Sequence, residues 1–92
     1  MNNAEWNSRY LQYCRATGGL SPDATLERDR ERYPGGCMCG FILWTNDMIT
    51  ACREAHPEYF YVDIDRKVTR NLINHKGYDK WLDESVTKGL AQ

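Results

Sequence analysis

Long apolar runs are missing from this sequence. The longest, Cys37 to Trp44, is eight residues, well short of the roughly 18–20 that span a bilayer, so no membrane element is expected. The polar opening Met1-Asn2-Asn3-Ala4-Glu5 lacks the apolar stretch of an export signal. A cytoplasmic, reducing setting is therefore expected. There Cys14, Cys37, Cys39 and Cys52 serve first as small buried hydrophobes rather than as a disulfide framework. No charge dominates either: 12 basic side chains stand against 13 acidic ones, a net of −1, which points to no particular partner. Internal repeats, low-complexity tracts and linkers are also lacking. With 92 residues the chain can build one core but not two, so a single domain over 1–92 is expected.

What is present is unevenly placed. Residues 1–65 carry a net charge of −4 and residues 66–92 a net of +3, so an acidic and a basic face could meet different neighbours. Three Trp, six Tyr and two Phe make an aromatic-rich chain. Such side chains supply both core volume and hydrogen-bonding tips suited to an interface.

Trp6, Tyr10, Tyr13 and Cys14 fall on one helical face, which predicts a helix over 3–17 ended by Gly18-Gly19. Ser21-Pro22-Asp23 is a helix start, and a very polar helix over 22–32 follows, with only Ala24 and Leu26 for apolar contact. Tyr33-Pro34-Gly35-Gly36 closes it. Residues 37–57 fit either one buried helix or a strand at 41–45 followed by a helix capped by Asn46. The second is preferred, because Asn46 is poorly used inside a helix. Tyr59 to Ile64 reads as a strand, Asp65-Arg66 as its turn and Lys67 to Ile73 as a second strand, with a helix over 67–75 competing. After a break at Asn74-His75-Lys76-Gly77, a last helix is expected over 78–88. The sum is α+β: three to four helices packed around a small antiparallel sheet or hairpin.

Catalytic signatures are not found. Cys37, Cys39, Cys52 and His56 have a C-x-C-x12-C-x3-H spacing. Cys52 and His56 would share a helix face, but the first pair is one residue closer than structural zinc sites require, and ordinary core cysteines are the default. A Cys–His nucleophile would use the same residues without any local signature. Asp63-Ile64-Asp65 has paired carboxylates but no third ligand, and the Gly-Gly pairs lack a phosphate-loop spacing. No cofactor and no small-molecule substrate are expected. Arg66, Lys67, Arg70, Lys76 and Tyr78, with Arg28, Arg30 and Arg32 as a further group, are the candidate partner-binding residues. Cations for phosphates stand beside aromatics for stacking there.

The stretch Lys76-Gly77-Tyr78-Asp79-Lys80-Trp81-Leu82-Asp83-Glu84 resembles a short helical segment of small phage-encoded anti-CRISPR proteins. The resemblance implies a non-enzymatic inhibitor that binds a multi-subunit host complex, such as a CRISPR ribonucleoprotein. Many such inhibitors are strongly acidic mimics of DNA, whereas this chain is near neutral. The implied mechanism is accordingly steric, through protein subunits and the RNA backbone. The alternative is a small nucleic-acid-binding regulator, zinc-stabilised through Cys37, Cys39, Cys52 and His56. A cysteine-dependent enzyme is a third reading.

Overall fold

The computed structural model describes residues 3–88, with side chains described from residue 7 onward. Its elements are α1 (Asn3–Ala16), α2 (Pro22–Arg32), α3 (Cys39–Ala55), a 3-10 turn (Pro57–Tyr59), β1 (Phe60–Val62), β2 (Val68–Leu72) and α4 (His75–Thr87). Four helices and a two-stranded antiparallel sheet make the α+β class expected. The described residues gather into two compact units, one up to Thr45 and one from Asn46, so the division falls inside α3.

In the first unit α1 buries Tyr10, Tyr13 and Cys14 as the helical spacing requires. The side chain of Trp6, expected on the same face, lies outside the described residues. Gly18 and Gly19 take φ of 127° and 71° past the end of α1, and the Gly19 N–H donates to the Cys14 carbonyl at 2.9 Å. The start of α2 is as read: Ser21 accepts from the Ala24 N–H at 3.2 Å, with Pro22 in the first turn. Its inward face differs from expectation. Ala24 and Leu26 are only half-buried, and the side chains fully enclosed are Thr25 and Asp29.

The preferred strand at 41–45 is not formed: α3 runs unbroken from Cys39 to Ala55, with Asn46 inside it and exposed. Aromatic packing decides this. Phe41 and Trp44 are three residues apart, which on a helix places them on one side. Phe41 meets Tyr10 and Tyr13 edge-on at centroid distances of 5.3 and 5.6 Å, and Trp44 meets Tyr13 at 5.6 Å. Such pairs add about 0.5–1.5 kcal/mol each beyond area burial, more than the local preference of Asn46 opposes.

In the second unit Cys52, Phe60, Tyr78, Leu82 and Val86 form the buried set. Pro57 ends α3 as expected, and β1 is shorter than the strand read over 59–64. Tyr59 instead closes the 3-10 turn, and its carbonyl accepts from Ile73 N–H (2.8 Å) and Asn74 N–H (3.1 Å). The second strand is a strand and not the competing helix. Phe60 pairs with Leu72 and Val62 with Val68, so Tyr61 alone faces Thr69, Arg70 and Asn71 across an irregular ladder.

The break expected at 74–77 is a helix start. Asn74 caps α4 by accepting from the Gly77 N–H at 2.9 Å, so the helix begins three residues before Tyr78. A Cβ at Gly77 would lie 2.9 Å from the Tyr59 ring, which explains a glycine in the first turn.

Candidate protein-docking site

The hairpin turn in the second unit is built by Asp63. One carboxylate oxygen, Oδ1, accepts from the Asp65 and Lys67 N–H groups, each at 2.9 Å. The backbone closes around it, with Asp63 N–H donating to the Lys67 carbonyl and Arg66 N–H to the Asp63 carbonyl, both at 2.9 Å. This is an aspartate-anchored tight turn followed by a left-handed residue, a common way to join two antiparallel strands. The left-handed residue is Arg66, at φ 63°, where a side chain costs on the order of 1–2 kcal/mol and glycine costs far less.

So constrained, the turn presents apolar surface. Ile64 at its tip is 98 % exposed, and Tyr61 and Val62 beside it are each more than half exposed. Of the turn's four charged side chains only Asp63 is engaged. The side chains of Asp65, Arg66 and Lys67 are exposed and make no hydrogen bond or ion pair among the described residues. The constellation that results is one apolar knob beside two cations and one free carboxylate, on a loop held by four hydrogen bonds.

The remaining sequence candidates separate clearly. Arg28 belongs to the first unit's interior. Its Nε donates to Asp29 Oδ1 at 3.0 Å, its Nη1 to the Thr17 carbonyl, and its Nη2 to Tyr13 Oη and Thr17 Oγ1, both at 3.2 Å. Tyr13 Oη donates in turn to Asp29 Oδ2 at 2.6 Å. Burial, then this hydrogen bond to Asp29, raises the Tyr13 pKa. Arg30 is exposed and lies 3.8 Å from Glu27, a surface pair worth little, and Arg32 is exposed.

In the second unit Arg70 reaches from β2 to α3, donating to Thr50 Oγ1 at 2.6 Å and to the Asn46 carbonyl at 2.9 Å. Lys76 is exposed in the first turn of α4, and Tyr78 is 4 % exposed, a core residue. Arg66 and Lys67 are therefore the sequence candidates that share one exposed turn.

The sequence reading missed Ile64, Tyr61 and Val62, which it placed in a strand. Asp63-Ile64-Asp65 gave no warning, since an isoleucine between two aspartates has the alternation of a half-buried strand.

Among the described residues no group of three or more His, Cys, Asp or Glu side chains could hold a metal ion. All four cysteines are free thiols, with Cys14 and Cys52 buried and Cys37 and Cys39 partly so. Burial, and secondarily the charge of Glu58, pushes the Cys52 thiol up to about 11, which keeps it protonated near neutral pH. His56 lies past the end of α3 with Nδ1 3.0 Å from Glu58, its ring stacked on Tyr59 at 4.7 Å. No helix among the described residues is long and apolar enough to cross a membrane. Compared with protein-family models, with curated proteins and with solved structures, the chain finds no match.

Proposed function

We propose that this protein works by binding and not by catalysis, occupying a surface of a larger protein assembly and blocking it sterically. The observation that carries the reading is Ile64, 98 % exposed on a turn held by the Asp63 carboxylate. An isoleucine kept in water by a rigid loop gains nothing for folding, whereas insertion into a partner would gain roughly 1.5–3 kcal/mol. Exposed beside it are Tyr61 and Arg66, residue types that anchor interfaces, together with Val62 and Lys67.

Which assembly is suggested by the resemblance of residues 76–84 to small phage-encoded anti-CRISPR proteins. A cytoplasmic CRISPR ribonucleoprotein is the proposed target, engaged through its protein subunits, with Arg66, Lys67 and Lys76 available to its guide RNA. In α4, Tyr78 and Leu82 are buried, so the resembling segment positions the unit while the hairpin makes contact.

The test is capture of an assembled CRISPR effector from bacterial lysate by the immobilised protein, in nuclease-treated and untreated halves. Capture of the effector's subunits in both halves is the expected result. Capture of nucleic acid alone, lost on nuclease treatment, would replace this function with a nucleic-acid-binding regulator.

A further inference from the structure

The four cysteines divide by exposure. Cys14 in the first unit and Cys52 in the second are 2 % and 0 % exposed, and buried thiols of this kind are inert. Cys37 and Cys39 are partly exposed free thiols on either side of Met38, and neither belongs to a buried core. They sit where Pro34-Gly35-Gly36 leads into α3, in a turn closed by the Cys39 N–H donating to the Gly36 carbonyl at 3.2 Å. The chain ahead of them is open. Apart from chain neighbours, a Cβ at Gly35 would meet nothing within 4 Å, and one at Gly36 only the Cys39 sulfur, at 3.8 Å.

We infer that Cys37 and Cys39 are a redox-sensitive pair, closed into a disulfide by hydrogen peroxide and reopened by a thiol reductant, and that closure loosens the first turn of α3. Reach permits the bond. Residues two apart on a right-handed turn have Cα atoms roughly 5.4 Å apart, inside the range of about 4.4–6.8 Å that a disulfide spans. Direction opposes it, because side chains at i and i+2 leave such a turn on different sides. The backbone of Met38 must therefore rotate to bring the sulfurs together. Gly35 and Gly36 let the preceding chain follow. Gly40 is held in place, since even a Cβ there would lie 2.5 Å from Tyr13 Oη and 3.0 Å from Asp29 Oδ2. The change is thus confined to the turn from Gly36 to Cys39 and to the bond from the Ile42 N–H to the Met38 carbonyl, 3.0 Å long, which opens α3.

The chemistry takes two steps. One thiol sulfur bonds to a peroxide oxygen, the O–O bond breaks, and the thiol proton leaves with the departing hydroxide as water, giving a sulfenic acid. The other thiol then attacks that sulfur, the S–S bond forms, the S–O bond breaks and a second water departs. The two sulfurs together lose two electrons, which the peroxide gains.

The experiment treats the folded wild-type protein and its Cys52→Ala variant with hydrogen peroxide, unfolds them, blocks the remaining thiols and weighs the tryptic fragments. In the variant the fragment from Tyr33 to Arg53 carries Cys37 and Cys39 as its only cysteines. It should be two hydrogens lighter and unblocked, and should take up two blocking groups after reduction. Wild type should fall from four free thiols to two, and Cys37→Ser and Cys39→Ser should each lose the bridge within the fragment. In the bridged protein the Ile42 amide should exchange with solvent at least tenfold faster than in the reduced one. Pairing of either thiol with Cys14, or survival of all four thiols in excess peroxide, would overturn the pair. A bridge that leaves exchange at Ile42 unchanged would overturn the switch.

Discussion

In the first unit the arginine and aspartate that look most solvated in the sequence are drawn inward: Asp29 is fully buried, held by Tyr13 and Arg28. In the second unit Phe60, Leu82 and Cys52 make an apolar core without buried charge, and Arg66 and Lys67 are left outside with an exposed isoleucine between nearby acids. The same residue types thus do opposite work. Charge in the first unit positions α2 against α1, whereas the charges of Arg66 and Lys67 in the second stay in solvent. Counting arginines in the sequence groups Arg28 with Arg66; what each side chain touches separates them.

The largest test of that contrast is Asp29→Ala. It removes the acceptor of Tyr13 and the partner of Arg28 together, and breaking a buried charge pair costs about 3–5 kcal/mol. Urea denaturation should show a loss of that order. A loss below about 1 kcal/mol would mean that the network is not what secures α2.

Gly40→Ala comes next. Its Cβ would sit 2.5 Å from Tyr13 Oη and 3.0 Å from Asp29 Oδ2, so α3 approaches the same network at a glycine. Crowding of this kind costs about 1–3 kcal/mol, readable in the same denaturation experiment. A neutral Gly40→Ala would show that the network has room to shift.

A smaller effect should appear at alkaline pH. Burial pushes Tyr10 up to about 12 in the first unit and Cys52 up to about 11 in the second. Both groups stay protonated in the folded protein after they have ionised in the unfolded chain. Their stability contributions are therefore complete below the ordinary pKa values of 9.0 for the thiol and 10.0 for the phenol, and are lost as pH rises beyond them. Melting temperature should fall between pH 9 and about 12, and Cys52→Ala should lessen the early part of that fall. An unchanged profile in Cys52→Ala would contradict the thiol's share.

Much of the fold was legible because its signals are local. Ser21-Pro22 announces α2 within two residues, Gly18-Gly19 ends the segment before it, and Asp65-Arg66 lies in the turn where a hairpin was expected. The continuous α3 was not legible, because Phe41 and Trp44 choose the helix through aromatic partners on α1. Asp29 was hidden for a similar reason: its hydrogen-bond partner Tyr13 is 16 residues away, and nothing in Glu27-Arg28-Asp29-Arg30 distinguishes the acid that is buried. Half of the proposed docking turn was visible as the cations Arg66 and Lys67. Ile64 was concealed by its strand-favouring side chain.

The most direct test sets Arg28→Ala against Arg66→Ala, each measured for unfolding free energy and for binding to the assembled effector per folded molecule. Arg28→Ala should lose about 2–4 kcal/mol of stability by leaving Asp29 without its cation, with binding unchanged. Arg66→Ala should bind at least tenfold more weakly with stability within about 1 kcal/mol of wild type. The reverse assignment, binding lost with Arg28 and retained without Arg66, would contradict the division between a structural and a docking arginine.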